Sequence, residues 1–377
     1  MDGKSNPTKG GGVSPGTRLA ELVKRNRAVI VFGVFILLLP LWAEHIYKGI
    51  SIDILFIMRL VGVFTIAAVG LNLLMGYAGQ VSLGQGAFFG IGAYTSALLT
   101  VRAGFPVWLG IALAIAISAA FGLLVAPVLR LKGHYLAMAT LGLAIIVFVF
   151  LREMTWLTFG NDGVRNIPEL ALPFTHITGF DLPFIKEKLQ RPELYFQFYF
   201  IWVVAIVVLA LCANLVRSRV GRSMRALHQS EVAAEAMGVN VSAQKIKVFV
   251  LSAALGGLAG GIYANLQGYI DPNMFSITLS ISILTMVVIG GMESIWGAVA
   301  GAAVITFLPK FVEAIPKWVG DAPKWLERYS NYEGIVFGLI LILTMVFMPS
   351  GITRGLSDMF RYRRSPFMNP FRRKAVE

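Results

Sequence analysis

The chain has 377 residues, of which 56% are hydrophobic and only 14% charged, and its mean hydropathy is +0.72. Soluble domains are roughly one-quarter charged, so this composition excludes a water-soluble globular protein. The 33 lysines and arginines outnumber the 20 aspartates and glutamates by 13. That excess sits at the ends of apolar runs and not on one soluble surface, so nucleic acid is excluded as a partner.

The apolar runs have about the length a helix needs to cross ~30 Å of hydrocarbon, and short alternating segments of the barrel kind are absent. Residues 1–27 are Gly/Pro/Ser-rich and then basic, a flexible tail. The run 28–42 follows a basic region as a signal-peptide core would. Its exit, "LPLWAEHI", lacks a small-x-small cleavage pattern, so it reads as a retained first span. Further spans are predicted at 52–75, 86–100, 106–129, 135–151, 195–216, 248–266, 277–291, 295–308 and 332–348, ten in all. The expected fold is therefore an all-α polytopic membrane protein with some helices broken or short. Its domains would be the tail 1–27, a membrane domain 28–350 and a basic tail 351–377.

An even number of spans puts both termini on one side, and the charges say which. Lys4, Lys9, Arg18, Lys24, Arg25 and Arg27 precede the first span; Arg354, Arg361, Arg363, Arg364, Arg372, Arg373 and Lys374 follow the last. Both tails are thus cytoplasmic and attracted to anionic lipid. The basic connections 130–134 and 217–247 fall inside as well, while the mixed-charge loops 152–194 and 309–331 fall outside.

Two inner connections contain no Lys or Arg: "GYAGQVS" (76–82) and "GGMES" (290–294). Gly79, Gly86, Ala87 and Gly90 share the spacing of Gly290, Gly297, Ala298 and Gly301, a match that internal duplication or chance in a Gly/Ala-rich chain would equally produce. Paired glycine-interrupted segments point to broken helices around a substrate path. Small residues recur every four positions at Ser82, Gly86 and Gly90, at Ser252, Gly256, Gly260 and Ala264, and at Gly257 and Gly261. Such ridges let helices approach closely in lipid. Asn72, Gln80, Ser82, Gln85, Asn265 and Gln267 are neutral polar groups in or beside spans. Singly each serves as interhelical glue; as a set they suit a passage for a polar solute. Arg59 would snorkel outward or stabilise a neighbouring helix end.

No Asp or Glu lies in the middle of a span, Glu293 standing only at an inner end, which disfavours a proton- or sodium-coupled carrier. Cys212 is alone, and His45, His134, His176 and His228 are scattered over separate connections, so no reactive or metal-binding cluster is indicated. Phosphate-loop, H-E-x-x-H and G-x-S-x-G motifs are absent, so any ATP is hydrolysed by another subunit. In the segment 218–247, Arg222, Arg225, Glu231 and Glu235 flank a short helical run, 231–237, stopped by Gly238 and Asn240 as a C-terminal cap. Its apolar side (Val232, Ala233, Ala236, Met237) fits a solvated connector or a docking element.

Five ordered blocks resemble the permease subunits of branched-chain amino-acid ABC transporters, of the LivM type. They are "GYAGQVSLGQGAFFGIGAY", "PVLRLKGHYLAMATLG", "SEVAAEAMGVN", "KVFVLSAALGGLAGGIYA" and "VVIGGMESIWGAVAGA", and the similarity covers most of 52–351. The resemblance implies a pore subunit in the bacterial inner (plasma) membrane, paired with a second homologous permease, two ATP-binding subunits and a periplasmic binding protein. ATP and magnesium would be used by partner subunits and no cofactor by this chain. The segment 231–238 would be the ATPase-coupling helix, with Glu231, Ala234, Glu235 and Gly238 on its docking surface. One departure is visible: the family's TGG-x-x-G after the fifth span is "TFGNDGV" (158–164), with Phe159 in place of a glycine. Related permeases carry urea, short amides or other amino acids, which remain alternative substrates.

Overall fold

In hydrocarbon a backbone satisfies its N–H and C=O groups only internally, so long apolar runs fold as helices. The computed structural model describes residues 31–36, 39, 54–131, 133–170 and 192–319, and every element there is helical. They are α1 (Ile54–Asn72), α2 (Gln85–Val101), α3 (Val107–Val125), α4 (His134–Glu153), α5 (Pro192–Arg217), α6 (Arg219–Gln229), α7 (Glu231–Ala236), α8 (Val241–Gln267), α9 (Ile277–Gly290) and α10 (Ile295–Val319). Eight of the ten predicted spans are matched by these helices. Residues 31–36 of the first are helical, with the Phe32 ring edge-on to Trp202 and Trp296. The span 332–348, both tails and 171–191 lie outside the described residues.

Five stretches are long and apolar enough to cross a bilayer: Ile54–Tyr77, Val107–Leu129, His134–Glu153, Glu193–Arg217 and Val241–Gln267. By contrast α2 has 17 residues and α9 only 14. At 1.5 Å per residue these reach about 25 and 21 Å, short of a ~30 Å core. Two helices run past their predicted ends. Hydropathy finds where apolarity stops, whereas helical hydrogen bonding continues through polar helix formers. Thus α8 starts at Val241 and not 248, and α10 continues from 308 to Val319. A further helix, α6, was not predicted; its charges hide a buried side of Gly221, Met224 and Leu227.

Lipid supplies no hydrophobic drive between helices, so close packing must. The hub is α8, which packs against α1, α2 and α3, and its two glycine ridges serve different neighbours. A Cβ at Gly260 would lie 1.8 Å from the Phe89 carbonyl oxygen, and one at Gly256 3.1 Å from the Phe88 Cβ, both on α2. One at Gly257 would lie 2.3 Å from Ser118 Oγ, and one at Gly261 3.1 Å from the Ala114 Cβ, both on α3. From the α2 side, a Cβ at Gly92 would meet the Gly257 carbonyl oxygen at 2.2 Å.

The matched glycine spacings serve unlike contacts. A Cβ at Gly297 or Gly301 would strike backbone of α9, at Gly290 and Met286, making α9 and α10 a tight hairpin. Gly86 instead abuts Ser280 of α9 and Gly90 abuts Phe275.

Candidate functional site: a broken helix and a coupling segment

The chain between α1 and α2 breaks as the glycines suggest. After Asn72 the helix widens into a π-turn, Leu73–Tyr77, and residues 78–84 are non-helical before α2 begins at Gln85. Non-helical backbone among membrane helices needs partners for its free N–H groups. Here hydroxyls supply them. Thr140 Oγ1 of α4 accepts from Leu83 N at 3.0 Å, Ser82 Oγ from Gly84 N at 3.3 Å, and Ser280 Oγ of α9 from Gly86 N at 3.0 Å. Thr140 and Ser280 were missed in the sequence, where a hydroxyl in an apolar run carries no mark of its partner.

The six candidate path residues are all at least partly buried but do not form one row. Asn72, at the end of α1, donates to the Ser294 carbonyl at 2.7 Å and accepts from Glu293 N at 3.2 Å, tying the two Lys/Arg-free connections together. Ser82 serves the break itself. Gln85 is an interhelical clamp: Nε2 donates to the Ala67 carbonyl of α1 (3.3 Å) and the Ser252 carbonyl of α8 (3.2 Å), and Oε1 accepts from Ser252 Oγ (3.1 Å). Asn265 joins α8 to α2 through Ser96 Oγ at 2.7 Å, and Gln267 donates to the Tyr263 hydroxyl at 3.0 Å. Gln80 differs: it is 4% exposed, yet neither amide atom has a partner among the described residues. Arg59 does not snorkel; it is buried, stands over the Phe56 ring and donates to Gln197 of α5, which donates to Glu169.

The segment after α5 turns back sharply. Ser218 caps α6 by accepting from Val220 N and Gly221 N, and a Cβ at Gly221 would lie 2.0 Å from the Val216 carbonyl oxygen. Ser230 caps α7, its hydroxyl accepting from Ala233 N at 3.2 Å, and Gly238 at φ +81 ends that helix. Asn240 corrects the expectation of a C-terminal cap. Its side chain accepts from Ala243 N at 2.9 Å, which makes it the N-cap of α8.

Among the candidate coupling residues, Ala234 is buried and holds α7 to the body, Glu231 pairs with Lys245 Nζ at 2.5 Å, and Arg225 donates to the Val216 carbonyl. Arg222, Glu235 and Gly238 are exposed, alongside Val232 at 76% and Met237 at 84%. A cavity of about 580 Å³ between α7, the start of α8 and the end of α3 leaves room behind this surface.

Phe159 takes φ +65, a left-handed backbone suited to the glycine that the resemblance expects there. The Arg102 guanidinium stacks on its ring, 4.3 Å from the centroid, and donates to the Trp156 carbonyl at 2.8 Å.

Many helices tied by glycine ridges, a break between α1 and α2 and an exposed capped helix between spans define a multi-pass helical membrane protein. A protein-family profile described as "Branched-chain amino acid transport system / permease component" matches residues 53–345, and the chain belongs to that family. The high-affinity branched-chain amino acid transport system permease protein LivM of Salmonella typhimurium is 31% identical over 321 residues, covering 82% of this chain and 71% of that one. LivM of Escherichia coli is 30% identical over the same shares. The corresponding LivH protein of Salmonella typhimurium is 26% identical, covering 77% of this chain and 90% of that one. No solved structure matches the chain at a significant level.

Proposed function

We propose that this chain is a pore-forming subunit of an ATP-driven importer of branched-chain amino acids in a bacterial inner membrane. The family match across 53–345 supports this reading most directly, and the names of the LivM and LivH relatives indicate the substrate class. Its partners in this reading are a second, homologous permease, two ATP-binding subunits that use ATP and magnesium, and a periplasmic binding protein that delivers leucine, isoleucine or valine. The surface of α7 formed by Val232, Glu235 and Met237 docks an ATP-binding subunit. ATP-driven closure of those subunits pushes α7, and the bundle rocks between inward- and outward-open states. The break at 78–84, with the Gln80 amide, borders the substrate path, while Gln85, Asn265 and the glycine ridges hold the helices that move.

The test is uptake of labelled leucine, isoleucine and valine, at low concentration, in cells lacking this chain and in cells with it restored. Loss and rescue are expected. Unchanged uptake of all three would refute the substrate, and urea, short amides and other amino acids would be measured next.

A further inference from the structure

We propose that His228 is a positioning residue that transmits the movement of α7 to the broken helix, by holding the two Lys/Arg-free turns in one unit. It stands in the last turn of α6, two residues before Ser230, the residue that caps α7. A displacement of α7 therefore reaches His228 through only a short stretch of backbone.

Each side of the imidazole meets one of the turns. On one side is Gly79, whose φ of +68 already favours glycine; a Cβ there would lie 2.8 Å from His228 Cδ2. On the other is Glu293, whose Oε1 lies 3.6 Å from His228 Nδ1, within ion-pair range of a protonated ring. Glu293 is held in an unusual backbone, φ +64. What holds it is Asn72: one amide accepts from Glu293 N and donates to the Ser294 carbonyl. The fit is close, because a Cβ at Gly76 would come 2.5 Å from Glu293 N.

From this cluster, contacts lead onward to the break. The turn bearing Glu293 joins α9 to α10, whose glycines interlock backbone to backbone, so the hairpin moves as a body. Ser280 of α9 accepts from Gly86 N at the start of α2. His228 thus links the docking helix to both flanks of the non-helical segment 78–84, and packed elements with discrete arrangements are how such links carry energy.

The inference rests on the proposed role of α7, and the test separates the two. The complete transporter, this chain with its partner subunits and binding protein, is placed in proteoliposomes, and leucine uptake and ATP hydrolysis are measured together. If the unsubstituted transporter imports no leucine with ATP, the proposed function fails. Given a working transporter, His228→Ala and Glu293→Gln should each lower leucine imported per ATP hydrolysed by at least about five-fold, the lower end of measured couplings between sites. Hydrolysis itself should persist. A purely structural loss would lower assembled transporter, uptake and hydrolysis together and leave that ratio intact. Glu293→Gln is nearly isosteric and guards against a misfolded alanine variant. An unchanged ratio in both variants, or an unchanged ratio in Glu293→Gln when His228→Ala fails to assemble, would overturn the proposal.

Discussion

The closest helix contact in the hub makes the sharpest prediction. In Gly260→Ala the new carbon would lie 1.8 Å from the Phe89 carbonyl oxygen, 2.8 Å from its carbon and 2.9 Å from Ala93 N, all backbone atoms of α2. Carbon contacts settle near 3.5 Å, so α8 must retreat from α2 by more than an ångström. That retreat stretches two polar ties across the same pair, Asn265 to Ser96 at 2.7 Å and Ser252 to Gln85 at 3.1 Å, beyond hydrogen-bonding distance. Overpacking costs about 1–3 kcal/mol, and each interhelical hydrogen bond about 0.6 kcal/mol in a membrane, so the substitution should cost about 3 kcal/mol. Thermal unfolding of the detergent-solubilised transporter is the assay. Gly142→Ala in α4 is the control, because a Cβ there meets nothing within 4 Å. Gly260→Ala should unfold at clearly lower temperature while Gly142→Ala matches the parent or exceeds it, alanine being the better helix former. Equal Tm values for the two variants would refute the backbone-contact argument.

Other expectations follow from single contacts. Gln85→Leu removes the clamp to Ala67 and Ser252, and should lower stability by about 1–2 kcal/mol in the same thermal assay; an unchanged Tm would show the clamp to be idle. At position 159, Phe159→Ala keeps the left-handed strain and loses the Arg102 stacking, a cost of about 1 kcal/mol, whereas Phe159→Gly relieves the strain and should be near neutral. The reverse order of the two variants would contradict the strain account. Glu235→Lys reverses a charge on the exposed surface of α7 and should leave ATP hydrolysis running without matching uptake, with membrane insertion unaltered. Normal uptake per ATP would remove Glu235 from the docking surface.

Much of the bundle was legible from local signals. Apolar runs located eight helices, six of them within a few residues at both ends, and Gly238 marked the C-terminal end of α7. Asn240 was misassigned because an Asn after a helix and an Asn before one look alike until the accepting side chain is seen on Ala243 N. The helix α6 was overlooked because its charged residues mask a narrow buried stripe.

Local chemistry alone therefore determined that this is a helical membrane protein, that the chain breaks between α1 and α2, and which short helix is exposed. Each of those depends on residues within a turn or two of one another. Tertiary structure decided the partners: that one ridge of α8 holds α2 and the other α3, that Gln85 clamps α1 to α8, and that Asn72 binds a turn 222 positions away. A glycine announces that something comes close without saying what, and in lipid every helix is apolar enough to face any other. Only the paths of the connecting segments choose among those faces, and that choice is a property of the whole chain.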